Sequence, residues 1–303
     1  MADIEKMDAL KTTGLSSKLG LWVEEALGDF AAMRYRVTET IFSGHSDFQQ
    51  VDLVATEGHG KMLFIDGLVM VSERDEFVYH DMIAHVPLFT HPDPRRVLII
   101  GGGDGGTARE VLRHPGVRVC TMVEIDGLVV EVCKKYLPQT ACALDDPRLT
   151  LRIEDGVKYM AETSERFEVV IVDSTDPIGP AAPLFGESFY ANVSRVLSED
   201  GLVVAQGESP FYEPEAQKVM LTNIGKSFPK AYMYNYSNLT YPGGLWSFVL
   251  ASKGPDPLAG FDPDRVRRSG LNFAYYGANL HRAAFCLPRF QQDHLRGVIE
   301  NAD

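Results

Sequence analysis

Apolar residues recur along this chain in two rhythms, and the change from one to the other divides it. Over residues 20–72, short alternating segments at 33–40, 49–55 and 61–65 are separated by Gly44, Gly58, Gly60 and Gly67. Strands joined by tight turns have this spacing, so a small antiparallel sheet is expected. From Glu73 the period changes. Phe77, Val78, Met82, Ile83 and Val86 recur at helical spacing and predict a helix over 74–89, ending near Pro92 and Pro94. Apolar runs then alternate with helical stretches. Strands are expected at 96–100, 117–123, 149–153, 169–172 and 202–205, helices at 106–114, 127–136, 156–163 and 189–197, and a closing pair of strands at 231–236 and 245–251. A continuously apolar strand has no face to give to water and must be covered on both sides. Alternation with helices therefore implies a parallel sheet between two helical layers. The expected architecture is α/β: a doubly wound, mostly parallel sheet over 73–303, preceded by a small antiparallel β domain over 1–72.

The first parallel strand runs directly into Gly101-Gly102-Gly103-Asp104-Gly105-Gly106, which satisfies GxGxxG and opens a helix. In a Rossmann-like sheet this is where a nucleoside ligand meets the protein. The second strand ends in Glu124-Ile125-Asp126, which puts an acid near the ribose hydroxyls. Asp104 decides which nucleoside fits. A carboxylate inside this turn opposes the attraction between a helix N-terminus and phosphate. A ligand with a cationic group beside its ribose, such as S-adenosylmethionine or a relative, fits better than a dinucleotide. The sheet is thus of the methyltransferase type. Asp155, at the end of the third strand, is placed either to accept from an adenine amino group or to cap the helix that follows.

The fourth strand ends in Asp173-Ser174-Thr175-Asp176-Pro177-Ile178-Gly179-Pro180. Asp104, Glu124, Asp155 and Asp173 therefore follow four successive strands, with Asp176 beside the last. Converging carboxylates raise one another's pKa unless a cation lies among them. The histidines His80, His85, His91 and His114 lie elsewhere in the sequence without ligand spacing, so an organic polycation is expected rather than a metal. Residues 176–185, rich in Pro, Gly and Ala with apolar tips at Ile178, Leu184 and Phe185, suit a lid. Gln206 after the fifth strand can bond an amine, and Tyr79, His80, Tyr241 and Trp246 can wall a methylene chain.

Composition adds limits. With 303 residues, 45% of them hydrophobic, the chain can bury one large core or one large and one small. A formal net charge of -13 argues against nucleic acid and anionic membranes and favours cationic ligands. Cys120, Cys133, Cys142 and Cys286 show no metal or redox spacing and are expected to be reduced and mostly buried. The polar start of the chain has no apolar stretch, which is unlike a signal peptide. A cytoplasmic protein is expected.

Arg74-Asp75-Glu76-Phe77-Val78-Tyr79-His80, the turn at Gly101–Gly106, Val123-Glu124-Ile125-Asp126, the Asp173–Pro180 run and Tyr241-Pro242-Gly243-Gly244-Leu245-Trp246 together resemble the polyamine aminopropyltransferases, in particular spermidine synthases. The likeness runs from about Trp22 to Phe290. It implies decarboxylated S-adenosylmethionine as co-substrate, with no prosthetic group and no metal, putrescine as acceptor, and a homodimer or homotetramer. By matching motif, Gln49 and Glu124 would bind the ribose, Gly101 and Gly103 would line the nucleoside, and Asp155 with Gly156 would bind the adenine. Asp104 would hold the donor's aminopropyl amine. Asp173 would be the catalytic base, assisted by Tyr79, while His80, Asp176, Gln206 and Tyr241 would bind substrate. Two positions depart from the pattern: Leu239, where proline is expected, and Gly207, where Ser or Thr is expected. Both are expected to border the acceptor channel. Three other readings compete: an amine N-methyltransferase of the same fold, a nicotinamide oxidoreductase, and a catalytically silent polyamine-binding protein. Asp104 disfavours the first two, and retention of Asp173 disfavours the third.

Overall fold

The computed structural model describes residues 20–302 apart from Gly28 and Ile178. The polar N-terminal segment and the expected lid tip at Ile178 lie outside the described residues. Five strands, β1 (Leu21–Leu27), β2 (Ala31–His45), β3 (Gln50–Thr56), β4 (Gly60–Ile65) and β5 (Leu68–Ser72), pair antiparallel in chain order. Alternation gives this sheet two apolar faces. Val51, Leu53, Leu63 and Ile65 enter the main core, while Val54, Met62 and Phe64 join Tyr35 and Val69 in a smaller cluster on the other side. β1 and β5 were not expected individually. β1 hides because its pattern is inverted: Leu21 and Trp22 are 72% and 50% exposed, whereas Glu25 is buried.

The chain continues through α1 (Glu76–Thr90), β6 (Arg96–Gly101), α2 (Gly106–Leu112), β7 (Val119–Glu124), α3 (Gly127–Tyr136), the single turn α4 (Pro138–Ala141) and β8 (Leu149–Ile153). It then forms α5 (Gly156–Glu162), β9 (Phe167–Asp173), a 3-10 segment at Gly179–Phe185, α6 (Glu187–Val196), β10 (Leu197–Gln206), α7 (Pro214–Gly225), β11 (Lys230–Ser237) and β12 (Leu245–Ser252). Three short helices follow: α8 (Pro263–Arg268), α9 (Ala278–Ala284) and α10 (Arg289–Leu295).

The second sheet has the order β11-β12-β10-β9-β6-β7-β8, parallel from β10 to β8 and antiparallel at the β11–β12 edge. The apolar run of β6 splits by parity between two cores. Val97 and Ile99 pack with α1, α2 and α3, while Leu98 and Ile100 pack with α5, α6 and α7. Because β7 and β9 leave β6 on opposite sides, the loops after these three strands diverge and open a crevice at their carboxyl ends. α1 crosses beside it. From Val78 to Thr90 this helix is buried all round, polar His80, Asp81 and His85 included.

Nothing in the sequence pattern marked α7 to α10. α7 buries Gln217 with Met220, Leu221 and Ile224, which blunts its apolar stripe, and the others have six or seven residues. All four cysteines are free, but only Cys120 and Cys133 are buried. Cys142 and Cys286 are exposed, correcting the expectation that most would be inside. No helix among the described residues is long and apolar enough to cross a membrane.

Candidate active site

The turn after β6 closes on the end of β9. Gly102 N donates to the Asp173 carbonyl at 2.9 Å. Gly101 has φ +85°, and a Cβ there would lie 2.0 Å from that carbonyl oxygen, so only glycine lets the two strand ends meet. Gly106 is glycine for a different reason: a Cβ would fall 2.2 Å from the ring of His80. The turn thus brings in a residue that is far away in sequence. His80 Nε2 lies 3.2 Å from Asp104 Oδ1, and its Nδ1 lies 2.5 Å from Glu76 Oε2. This corrects the expectation that the histidines stand apart from the acid cluster. Burial alone would lower the pKa of His80, but Asp104 and Glu76 together outweigh it and push it up to about 10.

Asp173 ends β9 with both carboxylate oxygens engaged. Oδ1 accepts from the Tyr79 hydroxyl at 2.8 Å and Oδ2 from Thr107 Oγ1 at 2.7 Å. Burial and the charge of Asp104 raise its pKa, while His80, Thr107 and Tyr79 hold it back. Edge-on rings of Tyr236, Tyr241 and Phe248 surround Tyr79, with centroids 5.0–5.9 Å away. Thr107 went unremarked in the sequence reading, although a hydroxyl residue one place into the helix after a glycine turn is a readable signal.

One side of the crevice is built from β7 and β8. Glu124 is buried, accepts from Asp126 N at 2.8 Å, and is pushed up to about 7, chiefly by desolvation. Gln49 reaches across from the N-terminal sheet, and its Nε2 donates to Asp126 Oδ2 at 2.9 Å. Asp155 caps α5, with Oδ1 accepting from Val157 N at 2.8 Å and Lys158 N at 3.3 Å, so the helix-cap role is realised. Gly156 lies against Ile100, which a Cβ would approach to 2.7 Å.

At the far end Gln206 organises a second group of acids. Its Nε2 donates to Asp176 Oδ1 at 3.1 Å and to Glu208 Oε1 at 3.2 Å, and its Oε1 accepts from Glu208 N. Glu208 is held at φ +62°, rare for a side-chain-bearing residue, by that contact and by Ser247 N. Glu25 from β1 faces the same crevice with an unpartnered oxygen. Burial raises all three: Asp176 upward, Glu208 to about 8 and Glu25 to about 7. Neither Glu25 nor Glu208 was among the expected site residues. The acid in β1 was legible only as an inward-facing charge in a strand not itself expected.

Tyr241 presents its ring to the crevice and spends its hydroxyl on the Met70 carbonyl at 2.9 Å. Pro180, Ala181 and Leu184 of the 3-10 segment close the opposite side, with Leu184 buried. The two departures from the family pattern fall elsewhere. Leu239 points to solvent while its N–H donates to Asp75 at 2.8 Å, a bond proline lacks. At Gly207 a Cβ would stand 3.1 Å from backbone atoms of β12. Neither lines the crevice, contrary to expectation. Gln49, Tyr79, His80, Gly101, Gly103, Asp104, Glu124, Asp155, Gly156, Asp173, Asp176, Gln206 and Tyr241 all do.

The whole arrangement has close relatives. Residues 76–259 match the family model "Spermine/spermidine synthase domain", and residues 21–73 match "Spermidine synthase tetramerisation domain". The polyamine aminopropyltransferase of Bacillus subtilis strain 168 is 45% identical over 276 residues, covering 91% of this chain and 99% of its own length. That of Clostridium kluyveri is 45% identical over 278 residues, covering 92% and 100%. Among solved structures, a spermidine synthase in complex with the transition-state analogue AdoDATO superposes with TM-score 0.90 at 42% identity, covering 95% of this chain and 99% of that one. The spermidine synthase of Thermotoga maritima superposes with TM-score 0.88 at 42% identity, covering 95% and 98%. The chain belongs to the spermine/spermidine synthase family and is an enzyme of the polyamine aminopropyltransferase type.

Proposed function

We propose that the chain is a spermidine synthase, transferring the aminopropyl group of decarboxylated S-adenosylmethionine to putrescine and releasing spermidine and 5′-methylthioadenosine. The observation that carries this reading is the meeting of Asp104 and Asp173 at the glycine turn, with one oxygen of each and a His80 nitrogen within 4.8 Å of one another. The nucleoside lies along Gly101 and Gly103, its ribose on Gln49 and Glu124 and its adenine by Asp155 and Gly156. Asp104 takes the donor's ammonium. It repels the carboxylate that intact S-adenosylmethionine would bring, which disfavours methyl transfer.

The acceptor threads between Tyr79, Tyr241 and His80, and its far ammonium meets Asp176 and Gln206. Acids raised by burial there ionise when a cation arrives, so binding and charging reinforce each other. Asp173 receives the proton of the attacking nitrogen. Between an ordinary alkylammonium and an ordinary aspartate that transfer is uphill by about 6.5 pKa units, or roughly 9 kcal/mol. The raised pKa of Asp173 narrows the gap from one side. The neighbouring sulfonium and a closed, dry crevice lower the amine's pKa and narrow it from the other. Tyr79 orients the carboxylate, and alignment of nitrogen and carbon for in-line displacement supplies much of the remainder.

The enzyme works in the cytoplasm as a homodimer or homotetramer. The N-terminal family match, the exposed Leu21 and Trp22 of β1 and the exposed Phe30 in the turn after it support association there. Incubation with the decarboxylated donor and a panel of putrescine, cadaverine, agmatine and spermidine, read by mass spectrometry, tests the reading. Putrescine should give the dominant aminopropyl product. Methylated amines, or no aminopropyl product with any acceptor, would overturn it.

A further inference from the structure

We propose that Glu76, clamped by Arg109, is a positioning residue for this reaction: it keeps His80 doubly protonated, so that His80 donates to Asp104 and holds that carboxylate facing Asp173. The inference rests on the roles proposed above for the two aspartates. Glu76 lies in the first turn of α1 with its side chain only 8% exposed, a position where a lone carboxyl would lose its charge. It keeps it because Arg109 binds both of its oxygens, each at 2.9 Å. Arg109 is itself fixed by Glu110 Oε1 at 2.7 Å and the Gln139 carbonyl at 2.8 Å. Desolvation pulls the pKa of Glu76 up, but His80 and Arg109 prevail and bring it down to about 2.

The consequence for His80 follows from hydrogen-bond chemistry. A neutral imidazole has one donor nitrogen and one acceptor. His80 has a carboxylate at each nitrogen, Glu76 at Nδ1 and Asp104 at Nε2, and both contacts are satisfied only when both nitrogens carry hydrogen. Gly106 leaves the space that lets the ring lie here at all. Asp173, raised by burial and by Asp104, has His80 as a counterweight that favours its ionised form. The other titratable groups facing the cluster are the Tyr79, Tyr236 and Tyr241 phenols, Glu124 of β7 and Cys133 of α3, all pushed up by burial first. None of these becomes a cation, so none can replace His80.

The sign of the pH effect is fixed by this arrangement. Two carboxylates raise the pKa of His80, and removing one lowers it, so in Glu76→Gln the charge is lost as pH rises through the lowered value. kcat/KM for the donor should then gain an alkaline limb below pH 9, falling by up to about tenfold per pH unit above it, that the native enzyme lacks. In the double variant Glu76→Gln/His80→Gln that limb should vanish, because the amide donates to Asp104 without titrating. A uniform loss in Glu76→Gln at every pH would make Glu76 merely structural and overturn the proposal. A titration of the His80 ring by NMR in the native, substrate-free enzyme is the independent arm, and it remains decisive if the variants fail to fold. A resonance unmoved to about pH 9 is expected. Release of the proton near pH 6.5 would overturn the proposal whatever reaction the enzyme performs.

Discussion

Two aspartates three residues apart, at the end of one strand, stand in different surroundings. Asp173 has a phenol on one oxygen and a threonine hydroxyl on the other, and sits against Asp104 and His80. Asp176 has the amide of Gln206 and lies among acids whose pKa values burial raises. On the roles proposed above, the first handles a proton and the second binds a charge. Asp173→Asn should therefore lower kcat by a factor on the order of 10²–10⁴, the usual range for general acid–base catalysis, with donor affinity little changed. Asp176→Asn should act on acceptor KM by roughly 10–150-fold, about 1.5–3 kcal/mol for a lost charged hydrogen bond. Steady-state kinetics with saturating donor and varied putrescine separate the two. Near-normal kcat in Asp173→Asn would refute the base assignment and turn attention to Tyr79. At this scale the acids after successive strands were legible because strand ends share one edge of a sheet. Glu76 and Thr107 were not, since their importance lies in what they touch, and Arg109 and His80 approach the site only through the packing of α1 against α2.

The segment between β9 and α6 is the element that can seal the crevice. Its apolar residues differ in exposure: Ala181 and Leu184 are buried over the crevice, while Pro180 lines it from an exposed position. A short 3-10 segment makes few backbone bonds of its own, so its order depends on what lies beneath it. Hydrogen exchange over residues 174–186 should be fast in the free enzyme and slow with donor and an amine inhibitor bound. Equal protection in both states would make it a rigid wall, and exclusion of water would need another source. Elements were most legible where one periodicity ran long. From β6 to β10 the parallel strands and the longer helices were read within about five residues, the single turn α4 excepted, because the central strands β6, β7 and β9 are apolar at nearly every position. β1 was lost because it turns an acid inward and its apolar residues outward, and α7 because a buried glutamine bonding Gly207, Glu208 and Ser247 stands on its inner face.

For the molecule as a whole, the formal charge of -13 is a functional quantity because both proposed substrates are cations. The acids of the crevice contribute locally, and the excess on the surface extends the field into solvent, drawing cations toward the mouth before any contact forms. Salt acts on these two parts differently. The Debye length falls from about 30 Å at 0.01 M to about 8 Å at 0.15 M, so added salt removes the long-range attraction and leaves contacts inside the closed crevice largely intact. Raising sodium chloride across that range should lower kcat/KM for putrescine and for the decarboxylated donor, while kcat, which starts from the filled and closed enzyme, stays nearly constant. The product 5′-methylthioadenosine carries no net charge, and it provides the control. Its inhibition constant should be insensitive to salt, so a parallel weakening of its binding would point to a general loosening of the enzyme. If kcat/KM for the cations were as flat as that control, the acidic surface would serve solubility alone, and recognition of polyamines would reside entirely in the residues that touch them.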